Sequence, residues 1–259
     1  MLSILKIGGK VLEQPALREQ VLRDWTRNSM QRLLVHGGGK TASDISQKLG
    51  IKAPMIQGRR ITSPDMLKVA LMVYGGLMNR QLVATLQALG ASAFGMTGAD
   101  LDVIRAIKRP VKDIDYGLAG DIVSVQTDSL KLLIENGHCP VLAPLTHDGK
   151  GQLLNTNADT IASAVASALA DTLPVQLTYV FEQPGVMADI DNPDSLVSVL
   201  AEADYDQLKE GGAIHSGMIP KLDNAFRALQ AGVKEVQICR YDAVAGLGST
   251  EFVGTKLML

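Results

Sequence analysis

Aromatic side chains make up only 4% of this 259-residue sequence although 46% of it is hydrophobic, so any core is built from Ala, Val, Leu and Ile. Cysteine is almost absent. Cys139 and Cys239 each sit among apolar, strand-like residues, which excludes a disulfide framework and predicts two buried free thiols in a reducing compartment. Neither has a Cys or His at finger spacing, so a zinc site is excluded as well. There is no excess of basic charge: the formal net charge is −2, which gives nucleic acid no footprint. No apolar run reaches the roughly 18 residues that a bilayer span requires, and no signal peptide opens the chain. These absences predict a cytoplasmic protein with no nucleic-acid or membrane partner, long enough to bury a sizeable core.

Two glycine fingerprints are missing too. The stretch "LLVHGGGKT" over 33–41 looks like a phosphate loop, but the position five before Gly39 is Leu34, so the P-loop pattern fails. Three places after Gly39 comes Ala42, so the dinucleotide pattern fails as well. Glycines between a strand and a helix still expose backbone N–H groups and a helix N-terminus, which suits an anion. A tight turn alone is the other reading.

What is present is alternation. Apolar runs at 2–7, 32–36, 92–96, 139–145, 175–181 and 235–239 read as strands. Helical patterns fall at 13–29, 41–49, 64–89, 126–136, 157–169, 204–210 and 218–231. This order predicts an α/β fold, an open and mainly parallel sheet sandwiched between helices in three αβα layers. Ligands of such sheets bind beyond the carboxyl ends of the strands, where "KIGGK", "HGGGK" and "FEQPG" all fall. A lobe boundary is placed near residue 173, giving lobes 1–173 and 174–259. In the long helical stretch, Met66, Val69, Ala70, Val73 and Leu77 form one stripe, with Leu67, Leu71 and Met72 adding apolar cover elsewhere. Such a helix is either core or shared across a twofold interface.

The residues able to carry chemistry are mostly cationic. Lys6 near the end of an apolar strand is costly unless it meets an anion, or snorkels at a strand edge. Lys221 sits near a helix N-terminus, opposing the macrodipole unless an anion is bound there. Asn157 and Asp159 suit the cap and first turn of the following helix, which leaves Asn155 unexplained. Arg59 and Arg60 can fork onto carboxylates or simply be solvated. No motif links His36, His138, His147 or His215 to a nucleophile. Cations, glycine turns and no metal cage together suit phosphoryl transfer, where positioning and charge neutralisation dominate.

The stretches "LKIGGK", "LLVHGGGK", "GRRIT", "LLNTNADTIA" and "GGAIHSGMIPKLDNA" together resemble the acetylglutamate kinase branch of the amino-acid kinase family, from Lys6 to about Gly254. The resemblance implies transfer of the ATP γ-phosphoryl, with Mg²⁺, to the γ-carboxylate of N-acetyl-L-glutamate or N-succinyl-L-glutamate in arginine biosynthesis. It implies that Lys6 and Lys221 stabilise the transferring phosphoryl and that Asp159 orients them. Gly8 and Gly9 would meet phosphate oxygens, and Gly37 and Gly38 the γ-carboxylate. Arg60 would clamp the α-carboxylate and Asn155 the acylamino end. The nucleotide would rest on the loop 182–187, through Glu182, Gly185 and Val186, and on Ala213, Ile214 and His215. That loop departs from the family's usual "DVxG". Because the chain opens almost directly on the strand carrying Lys6, a homodimer through the helix near 65–82, insensitive to arginine, is expected. Arg59 and the basic stretch 104–117 depart from the family pattern near the acyl pocket. Another amino-acid kinase, or a catalytically silent nucleotide or amino-acid sensor, are the alternatives.

Overall fold

A computed structural model describes all residues except 28, 57, 190, 193, 211–213 and 215–217. Its spine is an eight-stranded sheet in the order Val199–Ala201, Thr255–Met258, Glu235–Arg240, Val175–Phe181, Leu2–Ile7, Gln31–His36, His138–Leu142 and Ser92–Met96. The last six of these run parallel; Thr255–Met258 pairs antiparallel with Glu235–Arg240 and carries Val199–Ala201 alongside it. The sheet is continuous across residue 173, because Val175–Phe181 pairs with Leu2–Ile7.

Both faces of the central strands are buried, so they read as unbroken apolar runs rather than alternating ones. Leu2 and Ile4 point into one apolar cluster with Ile161, Val165 and Leu222, while Leu5 and Ile7 point into the other with Leu22, Met66 and Leu82. Helices Thr127–Glu135, Ala158–Ala170 and Ile219–Gln230 supply the first layer. Helices Pro15–Thr26, Gly39–Lys48 and the 64–88 segment supply the second. The three-layer sandwich expected from the sequence is present.

Several elements differ from expectation. The helix anticipated over 13–29 is two helices, Gly9–Glu13 and Pro15–Thr26, meeting at an extended Gln14, because Pro15 disfavours helical geometry in the residue before it. The strand anticipated at 139–145 ends at Leu142, and Leu145–His147 joins a second sheet. That sheet, in the order Leu153–Asn155, Leu145–His147, Ile104–Lys108 and Gly120–Val125, was not anticipated. The 64–88 segment is helical throughout, but Leu71–Met78 is a π-helix between two α-helical pieces. Its wider turn rotates residues off a 3.6-residue stripe. Leu77 consequently leaves the stripe of Met66, Val69, Ala70 and Val73 and is 44% exposed.

Candidate active site

The site lies where the sequence rule places it, past the carboxyl ends of Leu2–Ile7 and Gln31–His36. A cleft of about 310 Å³ there is lined by residues from nine separate stretches of chain. Side chains alternate along a strand, so Lys6 shares a face with Leu2 and Ile4 and points toward helices Ala158–Ala170 and Ile219–Gln230. Asn157 caps the first of these helices, its Oδ1 accepting from the N–H groups of Asp159 at 2.8 Å and Thr160 at 3.1 Å. The Asp159 carboxylate is thereby aimed at the strand end, where Oδ1 meets Lys6 Nζ at 2.6 Å. Lys221, in the first turn of Ile219–Gln230, donates from Nζ to Asp159 Oδ2 at 3.0 Å.

Two ammonium groups therefore share one largely buried carboxylate, and Glu182 is the next carboxylate whose charge Lys6 feels. Lys6 is 7% exposed and Asp159 8%. Burial alone would push the Asp159 carboxyl up, but Lys6 and Lys221 outweigh it and hold the group well below the usual carboxylate range. Burial pulls the Lys6 ammonium down from its ordinary value, and Asp159 opposes that shift. A third charge near this end, an anion, would relieve both cations.

The glycine turns serve this arrangement in ways the sequence did not disclose. A Cβ on Gly8 would lie 2.5 Å from Lys6 Nζ, so Gly8 gives the ammonium its room, and its own N–H bonds Val180 O at 3.3 Å. Gly37 likewise gives its N–H to Ile7 O at 3.0 Å. Gly38, with φ 145°, starts the Gly39–Lys48 helix, and its N–H has no partner among the described residues. The donors this loop leaves open are thus the Gly38 N–H and the first turn of the helix.

At the other end of the cleft, Arg60 is buried. It donates to Gly39 O at 2.6 Å, Ser43 Oγ at 2.8 Å and Ala53 O at 3.2 Å, which ties it to the same helix start. Asn155, at the end of Leu153–Asn155, donates from Nδ2 to Thr62 Oγ1 at 3.0 Å. Arg59, Arg109 and Asp121 close this end. Arg109 is paired with Asp121 and lies 5.4 Å from the Tyr116 ring centroid. Arg59 has no ion pair or side-chain hydrogen bond among the described residues. Burial draws its guanidinium below the ordinary value, and neighbouring Arg109 adds to that.

The structure thus gathers Lys6, Gly8, Gly9, Gly37, Gly38, Arg60, Asn155, Asp159 and Lys221 around one cleft. Among the described residues, Glu182, Gly185, Val186 and Ile214, anticipated to hold the nucleotide, are not part of that lining. The Glu182 carboxylate accepts the Lys10 N–H at 2.6 Å, at the start of the short Gly9–Glu13 helix. Gly185 packs against Thr255, whose Oγ1 accepts the Val186 N–H at 2.8 Å, and Ile214 is buried in the core. Ala213 and His215 lie outside the described residues. Reading the sequence missed Tyr74, Arg109 and Asp121; only Arg109 left a trace, in the basic character of 104–117. Among the described residues, no group of three or more His, Cys, Asp or Glu side chains could hold a metal ion.

Comparison with known proteins agrees with this geometry. A profile of the amino acid kinase family matches residues 1–240. An acetylglutamate kinase from Phocaeicola vulgatus is 49% identical over 243 residues, covering 94% of this chain and 95% of the relative. One from Cytophaga hutchinsonii is 47% identical over 259 residues, covering 99% and 98%. Among solved structures, smu.665 from Streptococcus mutans superposes with a TM-score of 0.81 at 26% identity, covering 99% of this chain and 98% of that one.

Proposed function

The chain belongs to the amino acid kinase family, and from that premise we propose that it is an acetylglutamate kinase, transferring the ATP γ-phosphoryl to the γ-carboxylate of N-acetyl-L-glutamate in arginine biosynthesis. One observation carries the reading. Lys6 and Lys221 converge on Asp159 at one end of a cleft whose other end holds Arg60 and Asn155. A carboxylate attacking a triphosphate meets strong charge repulsion, and preorganised cations in a poorly solvated site offset it. The attacking oxygen forms its bond to the γ-phosphorus as the bond to the β,γ-bridging oxygen breaks, giving an acyl phosphate and ADP. The two ammonium groups neutralise the charge on the migrating phosphoryl, and Asp159 holds them apart at fixed spacing. The acceptor is already ionised at neutral pH, so no general base is required.

Arg60 binds the α-carboxylate, Asn155 the acylamino end, and Gly37–Gly38 with the following helix start receive the γ-carboxylate. Gly8 and Gly9 face the phosphates, while Glu182, Gly185, Val186 and the 213–215 stretch hold the nucleotide in the lobe 174–259. The lobe 1–173 holds the acceptor. Mg²⁺ would arrive on ATP and would be held mainly by phosphate oxygens and water, since Asp159 is committed to the two lysines. A homodimer through the 65–82 helix is supported by Met72 and Leu77, both exposed on its π-helical part. A cytoplasmic location is supported by Cys139 and Cys239, unpaired and buried, with burial pushing both thiols up to about 12. No helix among the described residues is long and apolar enough to cross a membrane.

The decisive assay incubates the purified protein with Mg-ATP and N-acetyl-L-glutamate and traps the acyl phosphate as a hydroxamate. ATP-dependent hydroxamate is the expected result; its absence with this acceptor overturns the reading. A second acceptor, N-succinyl-L-glutamate, is favoured by one observation: among the described residues Arg59 has no ion pair or side-chain hydrogen bond and feels Asp121 without bonding it, whereas Arg109 is paired with Asp121 directly. Competition between the two acceptors decides, and equal kcat/KM values remove any role for Arg59.

A further inference from the structure

The reaction makes no use of His36, yet this ring is fully buried directly behind the acceptor loop. Alternation along Gln31–His36 sends Leu33 and Val35 to one face and leaves Leu34 and His36 toward the 64–88 helical layer. There Nε2 lies 3.1 Å from Asn79 Nδ2, and Nδ1 lies 2.7 Å from Gly37 O. Asn79 Nδ2 also donates to Val141 O at 2.8 Å. An amide nitrogen is only a donor, so His36 Nε2 accepts, and the ring proton resides on Nδ1, which donates to the Gly37 carbonyl. Burial keeps the ring neutral, its pKa pushed down to about 4.

We propose that His36 and Asn79 are positioning residues that fix the Gly37–Gly38 peptide plane so that the Gly38 N–H points at the acceptor γ-carboxylate. A trans peptide is planar, with its C=O and N–H pointing in opposite directions. Anchoring the Gly37 carbonyl to the buried ring therefore turns the Gly38 N–H outward, toward the cleft. It is the donor that remains at this turn, since the Gly37 N–H is bonded to Ile7 O. The surroundings leave the peptide little freedom. A Cβ on Gly38 would come within 3.1 Å of Tyr74 Cδ1 and 3.3 Å of Met78 Cγ. Asn79 is held from its far side as well: a Cβ on Gly95 would fall 1.6 Å from Asn79 Oδ1. That oxygen is buried without a hydrogen-bond partner among the described residues, so the donor end of the amide is the end in use.

The inference rests on the acylglutamate reading, and the test separates the two. The full-length wild type is assayed first with Mg-ATP and N-acetyl-L-glutamate. If it phosphorylates a different carboxylate instead, the substrate reading fails, and the variants are measured with that acceptor. Asn79→Leu keeps the volume but removes the donor, so nothing at Nε2 selects the tautomer that donates from Nδ1 to the Gly37 carbonyl. The acceptor KM should rise about 10-fold or more, the scale of losing one hydrogen bond to a charged group, while the KM for ATP stays within about twofold. Gly95→Ala, which displaces Asn79 without touching the loop, should show the same split. Asn79→Ala takes the place of either variant that does not fold. Folded variants with an unchanged acceptor KM, or with both KM values raised by the same factor, would overturn the proposal.

Discussion

At the residue scale the protein depends on an odd number of charges, two ammonium groups on one carboxylate. Replacing Lys6 or Lys221 with Ala should lower kcat by roughly 10²–10³-fold, the effect of losing one preorganised transition-state donor; steady-state kinetics at saturating substrates measure it, and a variant keeping half its turnover contradicts the role. The same burial gives a pH dependence. Lys6 has its native pKa held below the ordinary 10.5, so between those two values the unfolded chain binds more protons, and this group's contribution to stability rises with pH. Catalysis runs the opposite way, because it needs the charged form. The profile of kcat/KM for ATP, which reports the free enzyme, should therefore fall on the alkaline side with an apparent pKa below 10.5. A limb at or above that value would show that Lys6 is not the titrating group. Asp159 also has a lowered native pKa, so its contribution runs with pH in the same sense, in the acid range. Its lowered pKa contributes stability that is complete above the ordinary carboxyl value of 3.8 and is lost as pH falls through the native one.

At the element scale, what could be read from the sequence followed burial. Leu2–Ile7, Ser92–Met96 and Val175–Phe181 match their expected bounds, because strands of a parallel sheet with both faces covered are apolar throughout or edged by clear turns. The second sheet was illegible for the opposite reason. Gly120–Val125 has no fully buried residue and Leu145–His147 only three residues in all, too little for a period to register. Lys6 and Lys221 stand out as charges that local structure does not need, while the helix start accounts for Asp159 until the resemblance gives it a role; Asn79 is one polar residue inside a helix and announces nothing until the fold puts His36 against it. The resemblance makes Gly8 a contact for phosphate oxygens; the strand-to-helix turn adds that a side chain there would crowd Lys6. Gly8→Ala should accordingly lower kcat about 10-fold or more by displacing the ammonium from a preorganised position, while leaving the melting temperature near that of the wild type. Unaltered kcat in this variant would mean that the lysine reaches its place by another route.

At the scale of the whole molecule, the π-helical segment joins the acceptor loop to the surface. Its inward residues, Tyr74 and Met78, close over Gly38, and its outward residues, Met72 and Leu77, are 56% and 44% exposed. Single exposed apolar residues need no explanation, but two on one segment that is otherwise core are what a contact surface provides. A stable dimer buries roughly 800 Å² per partner, so neighbouring residues of the same helical layer must join them, and a charge at the centre of such a patch would be buried unpaired. Met72→Glu with Leu77→Glu should therefore convert a dimer into a monomer in sedimentation velocity at micromolar protein. Because both changes lie on the solvent side, the sheet and the Lys6–Asp159–Lys221 group should remain assembled, and kcat should stay within about threefold of wild type at saturating substrate. The acceptor KM should rise, since the turn that packs on Gly38 loses its outer support. A wild type that sediments as a monomer would remove this surface from the account; a monomeric double variant with an unchanged acceptor KM would leave the dimer but sever it from the site.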